Sequence, residues 1–182
     1  MKNNIILIGY MGCGKTTLGI KLSYRERVGM LDADKMIEQK NKKSVAEIFD
    51  SEGEAVFRQM ETDVLKEIAG YHERYIISVG GGLPMKEENR TLLKELGEVI
   101  YLRAKPDTIY GRLKNDTTRP LLRGDNPQEK IKEMIAFRGP IYEKTATSVI
   151  DVDGKDFEEI LCEIQKIIHK DEWLLDTGNE KK

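Results

Sequence analysis

A glycine-rich loop lies between a short apolar run and a helix-forming stretch, and it leaves few folds open to this chain. Residues 9–16, GYMGCGKT, match the pattern G-x-x-x-x-G-K-[ST] at every fixed position. The apolar run 5–8 predicts a buried strand before the loop, and the segment 15–25 predicts a helix after it. A strand, loop and helix in this order are typical of an α/β fold in which the loop wraps around a phosphate group.

The same loop predicts a site for a nucleoside triphosphate. Its backbone N–H groups and the positive end of the following helix suit phosphate oxygens. Lys15 would reach the β- and γ-phosphates, and the Thr16 hydroxyl would bind Mg²⁺. The alternative is a glycine-rich turn with a structural role alone. The predicted nucleotide-binding residues of this segment are Gly12, Cys13, Gly14, Lys15, Thr16 and Thr17.

Short apolar runs alternate with longer amphipathic segments along the chain. The apolar runs predict strands at residues 5–8, 30–32, 75–78, 98–102 and 149–152. The amphipathic segments predict helices at 15–25, 35–39, 45–49, 54–69, 87–96, 106–114 and 127–137, a short helix after Pro140, and a last helix at 157–169. This alternation predicts a three-layer α/β/α fold with a five-stranded parallel sheet. Ligands of such sheets bind beyond the carboxyl ends of the strands.

Composition limits the classes of protein to which the chain can belong. Its 182 residues match one domain, which we place at 1–170, followed by a tail at 171–182. Thirty basic residues against 32 acidic ones give a net charge of −2, which argues against a nucleic-acid-binding protein. No apolar run approaches the roughly 20 residues that span a bilayer. We therefore expect a cytoplasmic protein that binds neither nucleic acid nor membrane.

Two aspartates follow the second predicted strand. If the chain is still extended there, the alternate residues Asp32 and Asp34 point the same way, toward the bound phosphates. One carboxylate would then hold Mg²⁺, and the other would accept the proton of an attacking hydroxyl group. The alternative for Asp34 is a structural role as the N-cap of the next helix.

Two further segments carry candidate binding groups. Arg58 lies on the helix predicted at 54–69, where it either contacts a ligand or forms ion pairs with Glu54 and Glu61 on an exposed helix face. The three consecutive glycines at 80–82 indicate either close approach of the backbone to a ligand or a loose loop.

The second half of the sequence adds two cations near proline residues. Residues 115–126 are polar and irregular, and they predict a flap that closes over the site. Arg119 within the flap would then lie on the charge of the transferred phosphoryl group. Arg138 stands just before a predicted helix break at Pro140.

Six short motifs occur in the order that is typical of shikimate kinases, and the chain resembles that family from residue 3 to about residue 168. The motifs are the loop 9–16, D-x-D at Asp32 and Asp34, F-R-x-x-E at Phe57, Arg58 and Glu61, G-G-G at 80–82, R-P-L-L at 119–122, and R-x-P-x-Y at Arg138, Pro140 and Tyr142. The resemblance implies a P-loop kinase fold of the nucleoside-monophosphate-kinase type. It also implies a substrate-binding helical region at about 33–61 and a lid at about 115–126.

The resemblance implies an activity as well. Shikimate kinases transfer the γ-phosphate of ATP to the 3-hydroxyl of shikimate, which gives shikimate 3-phosphate and ADP in chorismate and aromatic amino-acid biosynthesis. For this chain it implies binding of shikimate and ATP, a requirement for Mg²⁺, and a monomer.

Roles for single residues follow from matched positions in the motifs. The implied catalytic residues are Lys15, Asp34 and Arg119, the substrate-binding residues are Asp34, Arg58, Gly81 and Arg138, and the metal ligands are Thr16 and Asp32. Arg119 would also bind ATP. Paired guanidinium groups suit the carboxylate of shikimate. Arg112 and Lys155 are candidates for contact with adenine by position only.

One segment departs from the family, and two rival functions remain open. Residues 25–30, RERVGM, stand where the family usually has a Leu-Gly turn and a more apolar approach to the second strand, which predicts a less stable junction. The first rival is another small-molecule kinase of the same fold that acts on gluconate or on a nucleoside monophosphate. The second is a nucleotide-binding regulator that has lost phosphoryl transfer.

Overall fold

The computed structural model describes residues 3–114 and 126–170. Within them, one sheet is formed by the strands β1 (Asn4–Ile8), β2 (Gly29–Asp32), β3 (Tyr75–Ser78), β4 (Gly97–Arg103) and β5 (Ser148–Asp151). The five strands lie in the order β2–β3–β1–β4–β5, and every neighbouring pair is parallel. The predicted α/β class and parallel sheet are confirmed.

Helices fill the connections between these strands. They are α1 (Lys15–Glu26), α2 (Ala33–Asn41), α3 (Val45–Glu52), α4 (Glu54–Gly70), α5 (Glu87–Leu96), α6 (Pro106–Leu113), α7 (Pro127–Thr145) and α8 (Phe157–Ile168), with a short 3₁₀ helix at Leu83–Met85. Most of these bounds lie within two residues of the predicted ones. The 3₁₀ helix has no counterpart in the prediction.

Burial explains the position of β1 at the centre of the sheet. All five of its residues are buried, and Ile6, Leu7 and Ile8 have no exposed surface. A strand that is buried on both faces needs helices on both sides of the sheet. One layer is formed by α1 and α8, which contact each other, and the other by α5 and α7, which both contact β4. The predicted three-layer arrangement is therefore confirmed.

The predicted helix break at Pro140 is wrong, because α7 continues through this residue. Proline removes one backbone hydrogen bond, to the carbonyl of Ala136, but the preceding Gly139 has no side chain to collide with the proline ring. Ile131 and Tyr142 are buried on either side of the proline. Packing of these side chains against the core stabilises both halves of α7 in one helix.

The unusual segment 25–30 forms an ordered junction between α1 and β2. Arg27 adopts the left-handed conformation with a φ of 53°, and its backbone N–H donates to the carbonyl of Ser23. Arg25 forms an ion pair with Glu158 of α8. The end of α1 is therefore held by contacts with α8, although a non-glycine residue occupies a conformation that favours glycine.

Parts of the predicted organisation fall outside the described residues. This holds for residues 115–125 of the predicted lid, which include Arg119, and for the predicted tail at 171–182. The last lid residue, Asn126, caps α7, since its side-chain oxygen accepts a hydrogen bond from the Glu129 N–H at 3.4 Å. In the described parts of the chain, no helix has the length and apolar character that a membrane crossing requires.

Candidate active site

The register of the sheet brings three chain segments to one edge. Leu7 of β1 and Asp32 of β2 both pair with Ser78 of β3, so these strands end at the same level. The chain continues from them into the loop 9–16, into α2 and into the glycines 80–82. The candidate site therefore lies beyond the carboxyl ends of parallel strands, where ligands of such sheets bind.

The phosphate loop adopts a backbone conformation that its glycines permit. Gly12 and Gly14 have φ values of 77° and 107°, which lie in the left-handed region. Helix α1 begins at Lys15, so the loop ends at a helix N-terminus with free N–H donors. The Lys15 ammonium donates to the carbonyl oxygens of Gly9 at 2.8 Å and Tyr10 at 3.0 Å. This arrangement presents positive charge and N–H groups in one place, as a phosphate group requires.

Thr16 and Asp32 lie close enough to share a cation. Thr16 Oγ1 donates to Asp32 Oδ2 at 3.2 Å, and the other oxygen of Asp32 accepts from the Lys35 N–H at 3.3 Å. Hydroxyl and carboxylate oxygens are donors that Mg²⁺ prefers, together with water and substrate phosphates. No cluster of three or more His, Cys, Asp or Glu suited to a metal occurs among the described residues. This donor set therefore fits Mg²⁺ bound jointly with a nucleotide.

Cys13 and Thr17 complete the predicted nucleotide-binding set. Cys13 is 1% exposed, and its sulfur lies 3.8 Å from the Lys15 ammonium. Its side chain therefore packs under the loop, and the backbone is the part of Cys13 that remains for a ligand. Thr17 is exposed in the first turn of α1, next to Thr16.

Asp34 lies in the first turn of α2 instead of on an extended chain. Helix α2 begins at Ala33 and is capped by Asp32, so the predicted extended geometry and the alternative N-cap role of Asp34 are both wrong. The two carboxylates have different neighbours, although the charge of Asp32 still acts on Asp34. Asp32 faces Thr16, whereas a methyl group placed on Gly80 would lie 2.7 Å from Asp34 Oδ1.

The environment of Asp34 suits a proton acceptor. Burial and the charge of Asp32 raise its pKa from 3.8 to about 6, against smaller opposing effects of Lys15 and Arg58. Its Oδ1 atom is buried and has no hydrogen-bond partner among the described residues. A carboxylate with a pKa near neutrality and a free acceptor oxygen can take a proton from a ligand hydroxyl group.

Arg58 forms the ion pairs with Glu54 and Glu61, but not on an exposed helix face, because the Glu61 side chain is 1% exposed. It also reaches the glycine segment. Its guanidinium group lies 2.8 Å from Glu61 and 2.9 Å from Glu54. A methyl group placed on Gly82 would overlap with the Arg58 guanidinium. The two acidic residues therefore hold the arginine in place beside the turn, and a structural and a binding role are compatible.

Glu61 is a buried acid that the sequence analysis did not include among the site residues. Burial raises its pKa to about 7, although its ion pair opposes the rise. Its Oε1 atom lacks a partner in the described part of the chain, and it lies near Asp34, since a methyl group on Gly80 would be 3.1 Å from it. The sequence feature that could have identified Glu61 is its place in the apolar stripe of α4, between Phe57 and Leu65, which are both buried.

The glycines 80–82 form an ordered turn, and the alternative of a loose loop is wrong. The Leu83 N–H donates to the Gly80 carbonyl at 3.1 Å, and the Met85 N–H donates to the Gly82 carbonyl at 3.0 Å. None of the three glycines has a positive φ. A Cβ atom on Gly80 or Gly82 would collide with the Asp34 carboxylate or the Arg58 guanidinium in their present positions, and one on Gly81 would fit tightly.

Arg138 reaches the same turn from α7. A methyl group placed on Gly81 would lie 3.5 Å from Arg138 Nη1 and 3.3 Å from both the Gly9 carbonyl oxygen and the Tyr142 hydroxyl. The Arg138 guanidinium lies over the ring of Tyr10, 5.9 Å from its centre, and its Nε atom is buried with no partner within 3–114 or 126–170. The fold therefore places two guanidinium groups at neighbouring glycines, beside the phosphate loop.

The two candidates for adenine contact differ in their surroundings. Arg112 lies against the phosphate loop, and its guanidinium donates to the carbonyl oxygens of Gly12 at 3.1 Å and Cys13 at 3.2 Å. Lys155 forms an ion pair with Glu163 at 2.6 Å. Arg112 is therefore the candidate that contacts the loop directly.

Comparison with known sequences decides the family. A sequence model of the family described as "Shikimate kinase" matches residues 11–169. The chain belongs to the shikimate kinase family. The predicted family and the predicted enzyme class, an ATP-dependent phosphotransferase, are confirmed.

Individual relatives match nearly the full length of this member of the shikimate kinase family. The shikimate kinase of Dictyoglomus turgidum is 36% identical over 174 residues, which cover 94% of this chain and 100% of that protein. The shikimate kinase of Thermodesulfovibrio yellowstonii is 40% identical and covers 90% of this chain and 93% of its own. A shikimate kinase from Acinetobacter baumannii, solved in complex with shikimate, has a TM-score of 0.86 at 33% identity and covers 94% of this chain and 95% of its own.

Proposed function

We propose that this chain transfers the γ-phosphate of ATP to the 3-hydroxyl of shikimate, giving shikimate 3-phosphate and ADP. The proposal is carried by the meeting of Asp34, Arg58 and Arg138 around the glycines 80–82, beside the phosphate loop. One carboxylate acceptor and two guanidinium groups match the alcohol and the carboxylate of shikimate. The related Acinetobacter baumannii protein was solved with shikimate bound, which supports the same substrate.

The two arginines would hold the substrate carboxylate. Arg138 has a buried Nε donor without a partner in the described ranges. Arg58 has five N–H donors, and its pairs with Glu54 and Glu61 leave some of them for a ligand. A planar fork of donors suits a carboxylate. The backbone N–H of Gly81 would add a further donor between the two arginines.

Asp34 would orient the 3-hydroxyl and accept its proton. As the hydroxyl oxygen bonds to the γ-phosphorus, the bond from that phosphorus to the bridging oxygen breaks, and ADP leaves with the electron pair. Lys15 would exchange its loop carbonyl acceptors for phosphate oxygens. Arg119, which lies outside the described residues, would cover the transferred group. Thr16 and Asp32 would hold Mg²⁺, which neutralises phosphate charge when bound.

We also propose a monomer that acts in the cytoplasm, where ATP is available. Asp34, Arg58 and Arg138 meet at one turn within a single chain. The proposed domain at 1–170 would include the substrate-binding region at about 33–61 and the lid at about 115–126.

A steady-state assay tests this function. The purified protein is supplied with MgATP and with shikimate, gluconate or a nucleoside monophosphate, and the release of ADP is coupled to a spectroscopic readout. We expect ADP release that depends on shikimate, and none above background with the other acceptors. Asp34→Asn, purified in the same way, controls for a contaminating kinase. Turnover of gluconate or a nucleotide in place of shikimate would favour the rival kinases, and no turnover at all would favour a regulator.

A further inference from the structure

Tyr142 packs in the core and also connects α7 with the glycine turn. Its side chain is 1% exposed, one helical turn after Arg138. Its hydroxyl donates to the carbonyl oxygen of Gly81 at 2.6 Å. Its ring packs against that of Tyr101 in β4, with the ring centres 5.1 Å apart. One side chain therefore ties the turn to the helix that carries Arg138 and to the sheet.

The hydroxyl of Tyr142 is suited to act as a permanent donor. Burial raises the pKa of Tyr142 above its ordinary value, against the opposing effect of Arg138. The phenol therefore stays protonated and able to donate at neutral pH. A backbone carbonyl in a buried turn needs such a donor, because burying it without a partner is unfavourable.

Fixing the Gly81 carbonyl also fixes the direction of a backbone donor. The peptide between Gly81 and Gly82 is planar and trans, so its C=O and N–H groups point in opposite directions. When Tyr142 holds the carbonyl toward α7, the Gly82 N–H is directed away from α7. Gly82 is also the residue of the turn that lies against the Arg58 guanidinium.

Gly81 also lies close to the phosphate loop. A methyl group on Gly81 would lie 3.3 Å from both the Tyr142 hydroxyl and the Gly9 carbonyl oxygen. That carbonyl oxygen accepts the hydrogen bond from Lys15 at 2.8 Å. Gly81 is therefore enclosed between α7 and the phosphate loop, and the Tyr142 hydroxyl fixes its place in this space.

We propose that Tyr142 is a positioning residue for the substrate, acting through the Gly81–Gly82 peptide and through the adjoining Arg138. The proposal rests on the proposed function, in which Gly81 and Arg138 bind shikimate. Tyr142 touches neither shikimate nor the reacting atoms. By anchoring the Gly81 carbonyl, its hydroxyl limits rotation of the backbone at Gly81 and so restrains the Gly81 N–H, the donor proposed above for shikimate, as well as the Gly82 N–H.

Tyr142→Phe tests the role, because it keeps the ring packed against Tyr101 and removes the hydroxyl alone. We expect the KM for shikimate to rise about tenfold, as the Gly81 carbonyl loses its buried donor and the turn relaxes. The KM for ATP should stay within about twofold, since the phosphate loop keeps its own hydrogen bonds. Thermal unfolding of the wild-type protein and of Tyr142→Phe shows whether the variant is folded.

Thr145→Val is the matched control for a structural effect on α7. Thr145 has no exposed surface, and its hydroxyl donates to the Ile141 carbonyl at 2.7 Å within the same helix. The variant therefore removes a buried hydroxyl from α7 without touching the glycine turn. We expect it to lower thermal stability and to leave the KM for shikimate within about twofold of the wild-type value.

The outcomes separate this inference from the proposed function. A selective rise in the KM for shikimate in Tyr142→Phe, absent in Thr145→Val, supports the positioning role. Unchanged kinetics in Tyr142→Phe beside an active wild-type protein would overturn it, as would equal changes in both variants. A wild-type protein that releases no ADP with shikimate would overturn the proposed function itself.

Discussion

The phosphate loop is built from one short stretch of sequence, whereas the proposed substrate side of the site is assembled from distant ones. Lys15 bonds to carbonyl oxygens that lie only five and six residues before it. The substrate side joins four separate elements of the fold, and its members are Asp34, Arg58, Glu61, the glycines 80–82 and Arg138. Local sequence therefore determines the first region, and tertiary packing determines the second.

The two regions also differ in how far the protein satisfies their polar groups. The Lys15 ammonium and the Thr16 hydroxyl both have protein acceptors. On the substrate side, Asp34, Glu61 and Arg138 each bury a polar atom that has no partner in the described part of the chain. Such an atom costs about 1–3 kcal/mol of stability. A ligand that pairs with these atoms would therefore stabilise the substrate side.

Asp34→Asn should have the largest effect and should separate the two regions most clearly. The amide cannot accept the proton of the attacking hydroxyl, so kcat should fall about 1,000-fold. The KM for ATP should remain within about twofold, because Asp34 does not belong to the phosphate loop. Steady-state kinetics with each substrate varied in turn measure both values.

Asp63→Asn is the control for this change, because Asp63 is an exposed aspartate on α4. It should keep full activity. Turnover of Asp34→Asn close to the wild-type rate would contradict the role of Asp34. If Asp34→Asn changed the KM for ATP as strongly as it changes kcat, the phosphate loop and the substrate side would not be functionally separate.

Asp34→Asn should also be more stable than the wild-type protein at high pH. The folded state raises the pKa of Asp34 from 3.8 to about 6, so at pH 8 a charged Asp34 opposes folding. Each unit of pKa corresponds to about 1.4 kcal/mol, and Asp34→Asn should therefore raise the free energy of unfolding by about 3 kcal/mol at pH 8. Denaturant unfolding without ligands measures this difference.

The sign of this effect predicts its dependence on pH. The wild-type protein regains the lost stability as the pH falls through the raised pKa of Asp34, about 6, toward 3.8, because the folded state then takes up the proton. The advantage of Asp34→Asn should therefore shrink steadily between pH 7 and pH 4. An advantage that does not change with pH would show that burial of the charge is not its cause.

Arg58→Ala should act on one substrate only. Loss of a charged hydrogen-bond donor to the shikimate carboxylate should raise the KM for shikimate about 30-fold. The KM for ATP should change by about twofold or less. Lys66→Ala on the same helix, which breaks the exposed ion pair with Glu88, should leave both values unchanged. Equal increases for both substrates would indicate a general distortion through the buried Glu61.

Much of the phosphate-loop region could be predicted from the sequence, because its geometry is local. The pattern of residues 9–16 predicted the loop between β1 and α1, and the structure has both elements at nearly the predicted bounds. Thr16 and Asp32, the predicted metal ligands, are in contact at 3.2 Å. Thr16 follows β1 and Asp32 ends β2, so the parallel topology brings both to the same edge of the sheet.

The substrate side could not be predicted in the same detail, because it depends on packing between distant elements. The hydrogen bond from Tyr142 to Gly81 joins positions 61 residues apart. The start of α2 decides where Asp34 points, and the alternation of a strand gave the wrong geometry. Helix α7 continues through Pro140 because buried contacts on both sides outweigh one lost hydrogen bond.

Arg27→Gly should have the smallest effect, and it tests whether stability alone can imitate the kinetic differences. Arg27 lies in the junction between α1 and β2, and its φ is 53°. Helix α1 follows the phosphate loop, and β2 leads to Asp34. Glycine adopts this conformation without the steric penalty, so we expect a gain of about 0.5 kcal/mol in the free energy of unfolding. Arg27→Ala is the matched control, since it removes the same side chain, keeps Cβ, and should give no gain. Denaturant unfolding measures both variants, and neither KM should move. If the KM for shikimate changed in Arg27→Gly together with its stability, the kinetic effects expected for Arg58 and Tyr142 would reflect general stability instead of their local contacts.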